Sequence, residues 1–146
     1  VNMVNAPFLA KERGLDVREV RHDREGDYQT LVRVTVTTEK GDRSVAGTLF
    51  GHAAPRLVEL FGIKVEADLA GTMLYIVNQD APGFIGRLGS KLGEAEVNIG
   101  TFHLGRRNQG GEAVLLLSVD GTVTEPLLWD ICQLAGVNKV KLLRFA

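Results

Sequence analysis

Four residues in the second half of the chain are of types that hold small polar molecules: Asn78, Asp80, Gly83 and Asn98. They lie in the stretch "NQDAPGFIGRLGSKLGEAEVNI", residues 78–99. A carboxamide both donates and accepts, a carboxylate accepts from an ammonium group, and the start of a helix offers backbone N–H groups to an anion. The three polar side chains stand at strand ends where the surrounding pattern would accept a hydrophobe. Short polar side chains also cap turns, so capping and ligand binding both remain open from the residues alone.

The glycines at 83, 86 and 89 form G-x-x-G-x-x-G. A dinucleotide loop needs G-x-G-x-x-G and an acidic residue closing the next strand. Here "VNIGTFHLG" runs into Arg106 and Arg107 instead, which excludes that reading. Spaced by three, the glycines fall along one side of a helix and are expected to let it approach a sheet closely. His22, His52 and His103 show no H-x-H or H-E-x-x-H spacing, so no metal site is expected; His103 is placed on the exposed side of a strand. There is no Ser-x-x-Lys, no G-x-S-x-G and no catalytic carboxylate pair, so no catalytic residue is assigned and the chain is not expected to be an enzyme by itself. The single cysteine, Cys132, is expected to pack as a small hydrophobe beside Trp129. Arg13, Arg18, Arg21 and Arg24 alternate with acids and read as a solvated face, with an anion site as the alternative.

Charge is balanced, 17 basic against 18 acidic residues, in each half as in the whole. No basic stripe is offered to a phosphate backbone, which argues against a nucleic-acid partner. No apolar run approaches the ~20 residues of a membrane helix, so no membrane is expected. A lone cysteine rules out an internal disulfide and suits a reducing, cytoplasmic setting. The first residue is Val and patterned sequence starts at once, as in a piece of a longer protein.

These residues must be positioned by two α+β units. "APFLAKERGL" predicts a short helix ended by Gly14, and "DVREVR" a strand. "YQTLVRVTVTT" (28–38) alternates and is rich in β-branched residues, the clearest strand of this half. "RSVAGTLFG" returns from it, and "PRLVELFGIKVEADL" forms a second hairpin around Phe61-Gly62, with a helix over 57–61 as the alternative. The second half opens with the apolar strand "TMLYIVN". A helix follows with Phe84, Ile85, Leu88, Leu92 and Ala95 on one face. The strands "EVNIGTFHLGRR" and "EAVLLLSVD", the helix "TEPLLWDICQLAG" and the strand "VNKVKLLRF" complete a βαββαβ order. That is the ferredoxin-like arrangement, with both helices on one face of four strands. The boundary is placed near Leu69–Gly71, giving domains 1–69 and 70–146. In a right-handed βαβ unit the flanking strands are parallel, so Asn98 starts at the end of the sheet opposite Asn78. One subunit cannot bring both to one small ligand; a two-fold partner pairing edge strand to edge strand can.

"NQDAPGFIGRLGSKL" and "VNI", with the βαββαβ order, resemble an ACT domain over about residues 71–145. "VNMVNAPFLAKERGLDV", "GTLFG" and "PRLVELFGIKVEADLAGTMLYIVNQDAPG" resemble the end of the intervening domain and the start of the ACT domain in the long-form D-3-phosphoglycerate dehydrogenase family. The resemblance implies a partial β-rich intervening domain followed by an ACT domain, in an enzyme that oxidises 3-phosphoglycerate with NAD at the first step of L-serine synthesis. It implies that NAD and the catalytic groups belong to parts outside this chain. It also implies homodimers through side-by-side ACT domains, a tetrameric parent, and L-serine bound across the seam as a feedback effector. The contacts carried over are Asn78, Asp80 and the Gly83 backbone from one subunit and Asn98 from the other. The family pattern has a histidine at 78 and an asparagine at 80; an acid at 80 still accepts from a ligand ammonium. Cations that hold a phosphate or the phosphorylated substrate in some intervening domains are replaced here by Ile63, Glu66 and Asp68. A scaffold that binds nothing and a sensor of another small amino acid are the alternative readings.

Overall fold

The computed structural model describes residue 2 and residues 4–18, 30–39, 41–51 and 54–145. The strand expected over 16–21 reaches outside these residues, and 16–18 carry no regular structure. His22, His52, Arg21 and Arg24 also lie outside them.

Helix α1 (Ala6–Glu12) has Pro7 in its first turn and buries no residue. Gly14, at φ +69°, follows its end. Strands β1 (Leu31–Thr38), β2 (Gly41–Phe50), β3 (Ala54–Leu60) and β4 (Ile63–Asp68) form one antiparallel sheet in chain order. The helical alternative for 57–61 does not occur. Phe61 and Gly62 both take positive φ, 51° and 76°, which is the two-residue turn whose twist matches the strands on either side. β4 alternates perfectly, with Ile63, Val65 and Ala67 buried and Lys64, Glu66 and Asp68 exposed. β1 is exposed along its whole length although its alternation is the clearest, because it is an edge strand whose Val32, Val34 and Val36 overhang the layer below.

The second sheet contains β5 (Thr72–Gln79), β6 (Asn98–Arg106), β7 (Glu112–Asp120) and β8 (Val137–Arg144) in the order β6-β7-β5-β8. Helices α2 (Phe84–Glu94) and α3 (Glu125–Cys132) cover one face, which is the ferredoxin-like α+β arrangement. Thr124 caps α3 by accepting from the Leu127 N–H at 3.3 Å. Leu74, Ile76, Leu115 and Leu117 pack under Phe84, Leu88, Leu92, Leu127 and Ile131 in a core made wholly by the second half. The opposite face carries Met73, Tyr75, Val77, Val114 and Leu116, which pack on Leu57, Ile63, Val65 and Ala67 of the first sheet. β5 is therefore buried on both faces, which accounts for its unbroken apolar run.

The glycines of α2 do not do what their spacing suggested. A Cβ at Gly86 or Gly89 would meet nothing within 4 Å, and Ile85 and Ala95 are exposed. Phe84, Leu88 and Leu92 alone define the buried stripe. A rotation of about 100° per residue puts Ile85, Gly86, Gly89 and Gly93 on one flank. The other flank carries Lys91, which reaches Asp130 of α3 at 3.8 Å, so the glycine flank looks away from α3. The close approach is made elsewhere: a Cβ on Gly105 would lie 2.3 Å from the carbonyl oxygen of Lys64, where β4 crosses β6.

Gly105→Ala is thus expected to destabilise the chain by about 1–3 kcal/mol through overpacking against backbone. Gly89→Ala, in the open middle of a helix, should gain about 0.5–1 kcal/mol. Urea unfolding of the two variants checks both signs, and equal effects would show that the β4–β6 crossing has room to relax.

Candidate functional site

Asn78 ends the helix-facing row Leu74, Ile76, Asn78 and is only 2% exposed. Its Nδ2 donates to the Gln79 carbonyl at 2.8 Å, while its buried Oδ1 has no partner. An unmet buried acceptor costs about 1–3 kcal/mol, so a ligand that donates to this oxygen would relieve that cost. Two residues on, Asp80 is fixed from three sides. Its Oδ2 accepts from Arg106 at 2.9 Å and from the Gly110 N–H at 3.3 Å, and its own N–H donates to the Gly111 carbonyl at 2.8 Å. The Arg106 hydrogen bond, and after it the Gly110 N–H, hold the Asp80 carboxyl below its ordinary range.

Gly83 begins α2 at φ +79°, a conformation that resists a side chain, and no side chain caps this helix. A Cβ there would stand 3.0 Å from Nη1 of Arg87, which places a guanidinium over the helix start. Arg87 and Arg106 are the residues that sequence reasoning missed at this end of the sheet. The signal for Arg87 is its place one turn after Gly83; that for Arg106 is its position closing β6, parallel to the strand that Asp80 follows.

Asn98 is not in this group. It opens β6 in register with Asp120, whereas Asn78 is in register with Ala113 on the same strand β7. Those two registers are about 23 Å apart along the strand, which puts Asn98 at the far end of the sheet, as expected. It is exposed, and its Nδ2 donates to Asp120 at 3.5 Å. β6 is the edge of the sheet on this side, with Phe102 (37% exposed) and Leu104 (40%) on its helix face.

The remaining candidates are dispersed. His103 is half-buried on the face turned to the first sheet, not exposed. Cys132 is exposed and Trp129 is 65% exposed, so the expected packing of the two is wrong: α3 buries Leu127 and Ile131, and both residues lie off that stripe. No cluster of three metal-ligating side chains occurs among the described residues. No helix among them is long and apolar enough to cross a membrane. Arg18 pairs with Asp16 at 3.1 Å on the surface. Asp68 pairs with Arg56 at 2.9 Å, and Ile63 is buried between the sheets.

The sequence is similar to those of known proteins. Residues 1–61 match the family described as the D-3-phosphoglycerate dehydrogenase intervening domain. Over 143 residues, 98% of the chain, the sequence is 35% identical to a protein of Bacillus subtilis (strain 168) named D-3-phosphoglycerate dehydrogenase, covering 27% of that protein. The chain is homologous to D-3-phosphoglycerate dehydrogenases. Proteins of the same name from Methanocaldococcus jannaschii and Mycobacterium leprae are 33% and 30% identical, matched over 96% and 100% of this chain. The chain spans about a quarter of the length of these dehydrogenases, 27%, 26% and 28%. The glycine series does not form a dinucleotide loop: Gly86 and Gly89 sit inside α2 facing open space, and β6 ends on Arg106.

Because the folded state lowers the Asp80 pKa, its ion pair with Arg106 stabilises the fold above the ordinary carboxylate pKa and is lost as pH falls through the depressed value. Following the Asp80 carboxyl carbon by NMR should show a midpoint below that of a free aspartate. In Arg106→Gln the midpoint should rise towards the ordinary range; an unmoved midpoint would show that the turn at Asn108–Gly111 alone holds the carboxylate.

Proposed function

We propose that this chain is a regulatory and oligomerisation region of a D-3-phosphoglycerate dehydrogenase, with residues 1–69 the end of an intervening domain and residues 70–146 an ACT domain that binds L-serine between two copies. The parent enzyme oxidises 3-phosphoglycerate with NAD bound elsewhere in it, and its assembly into tetramers uses this region. The observation that carries the reading is the placement of the four residues on a sheet with an open edge. Asn78, Asp80 and Gly83 lie at one end, Asn98 at the other, and β6 runs between those ends with no strand paired on its outer side among the described residues.

β6 extends from Asn98 to Arg106, so antiparallel pairing with a second β6 about Phe102 sets the partner subunit's Asn98 opposite Arg106. Arg106 is the residue that holds Asp80. The apolar residues Phe102, Leu104 and Ile85 flank this edge, and the bare flank of α2 at Gly86, Gly89 and Gly93 leaves space for a partner's backbone. Apolar side chains grouped along an unpaired strand are a feature of interaction sites rather than of free edges.

In this pocket the serine carboxylate meets the uncapped start of α2 and the Arg87 guanidinium, with the partner subunit's Asn98 donating to it. The ammonium donates to the oxygen of Asp80 not taken by Arg106, and the hydroxyl or ammonium donates to the unmet Oδ1 of Asn78. A ligand so polar is tolerated in a closed seam only when every group finds its partner.

Calorimetric titration with L-serine tests this. Binding is expected, and Asn98→Ala and Asp80→Ala should each weaken it about tenfold to a hundredfold, the ~1–3 kcal/mol of one group left unpaired. Mixing the two variants makes heterodimers with one intact pocket and one doubly damaged pocket, so half of the heterodimers' sites should recover full affinity. Heterodimers without any recovered site would leave these residues as turn caps. Silence towards L-serine and the other common amino acids would leave the region a scaffold.

A further inference from the structure

On the opposite face of β5 from Asn78, between the two sheets, lies a cavity of about 310 Å³. That is at the lower end of the roughly 300–1,000 Å³ typical of small-molecule sites. Arg43 and Phe61 from the first sheet face Tyr75, Glu112, Asn138 and Lys139 from the second across it. The cations are placed by aromatic rings. Arg43 stands 5.4 Å from the centroid of Phe61 and Lys139 stands 5.9 Å from that of Tyr75, while the two rings meet edge to face at 6.3 Å. Phe61 is itself fixed from behind, where its carbonyl accepts from Arg107 at 3.0 Å.

What the wall lacks is neutralisation. Arg43, Lys139 and Glu112 form no ion pair among the described residues, and the hydroxyl of Tyr75, a residue only 8% exposed, has no hydrogen-bond partner among them. Burial, and after it the Glu112 carboxylate, push the Tyr75 pKa up to about 12, against the pull of Arg43, so this hydroxyl remains a donor at neutral pH.

We propose that this cavity binds an acidic amino acid, an α-amino dicarboxylate, with its two carboxylates on Arg43 and Lys139 and its ammonium on Glu112. Two positive groups and one negative group on the wall match two negative groups and one positive group on such a ligand. A neutral amino acid leaves one cation unmet. A plain dicarboxylate sets Glu112 against an anion, which repels it. Tyr75 and Asn138 donate to the carboxylate oxygens, and the aromatic rings hold the cations in position before the ligand arrives. The site is independent of the β6 seam and uses none of its residues.

The test is calorimetric titration of the 146-residue chain with L-glutamate, L-glutamine and succinate. Saturable binding of L-glutamate is expected, with glutamine and succinate at least about tenfold weaker. Lys139→Gln should weaken glutamate about tenfold and glutamine much less. Glu112→Gln should bring glutamate and succinate to within about threefold of each other. Both side chains are exposed, and unchanged melting temperatures will confirm that the variants fold. Asn98→Ala, which damages only the seam, should leave glutamate binding intact. The proposal falls if glutamate does not bind, if it binds no better than succinate, or if its affinity survives both charge variants. It falls equally if Asn98→Ala abolishes binding, since the ligand would then sit in the seam.

Discussion

Strand β5 is covered on both faces, and most of the structure is arranged around that constraint. Leu74 and Ile76 look into the helices while Met73, Tyr75 and Val77 look into the first sheet. A strand in this position cannot carry a polar side chain without a reason, since each one removed from water needs a partner. Two polar groups occur on its buried stretch, and both lie at candidate sites: Asn78 with its unmet oxygen on the helix side, and the Tyr75 hydroxyl on the sheet side. The strand thus turns one polar side chain towards each of the two layers it separates, while the buried stretch of β7 beside it turns only apolar ones, Leu115 and Leu117 to the helices and Val114 and Leu116 to the first sheet.

The second determinant is where the sheet stops. β7 and β5 are interior, and β6 and β8 are edges. On the β8 side α3 packs along the edge; on the β6 side the glycines of α2 leave the flank bare. β4 meets β6 backbone to backbone at Gly105, near the end of the strand, and among the described residues no strand pairs with the outer side of β6. The two edges therefore differ: β8 is flanked by α3, whereas beside β6 the residues of α2 are glycines.

Much of the fold was legible because periodicity is a local property. The alternation of Ile63–Asp68, the apolar run of Thr72–Asn78 and the three-and-four spacing of Phe84, Leu88 and Leu92 each determine an element without reference to anything distant. Burial was less legible. Val32, Val34 and Val36 alternate as a core strand does, but whether another layer lies over them depends on the reach of the second sheet. Spacing placed three glycines on one side of α2 and was silent on which side that was. Trp129 and Cys132 were misread for the same reason. At the candidate site, Asn78, Asp80 and Asn98 were visible as polar residues where a hydrophobe would fit. Arg106 was visible only as the residue closing a parallel strand; that it reaches Asp80 depends on a single strand, β7, lying between the two. The cavity lined by Arg43 and Lys139 joins residues almost a hundred positions apart and exists only once one sheet is laid on the other.

The connection between the two sheets is slight. Leu69, Ala70 and Gly71 are exposed, and Gly71 takes φ +61° with its carbonyl accepting from the Phe145 N–H at 2.8 Å. Beneath it, each half contributes one side of a shared apolar layer that neither could leave open to water. A protease that cuts at this linker would therefore sever the chain without releasing the pieces. The two fragments would remain a non-covalent pair, held by the layer rather than by the peptide bond, and would find each other again after dilution from denaturant.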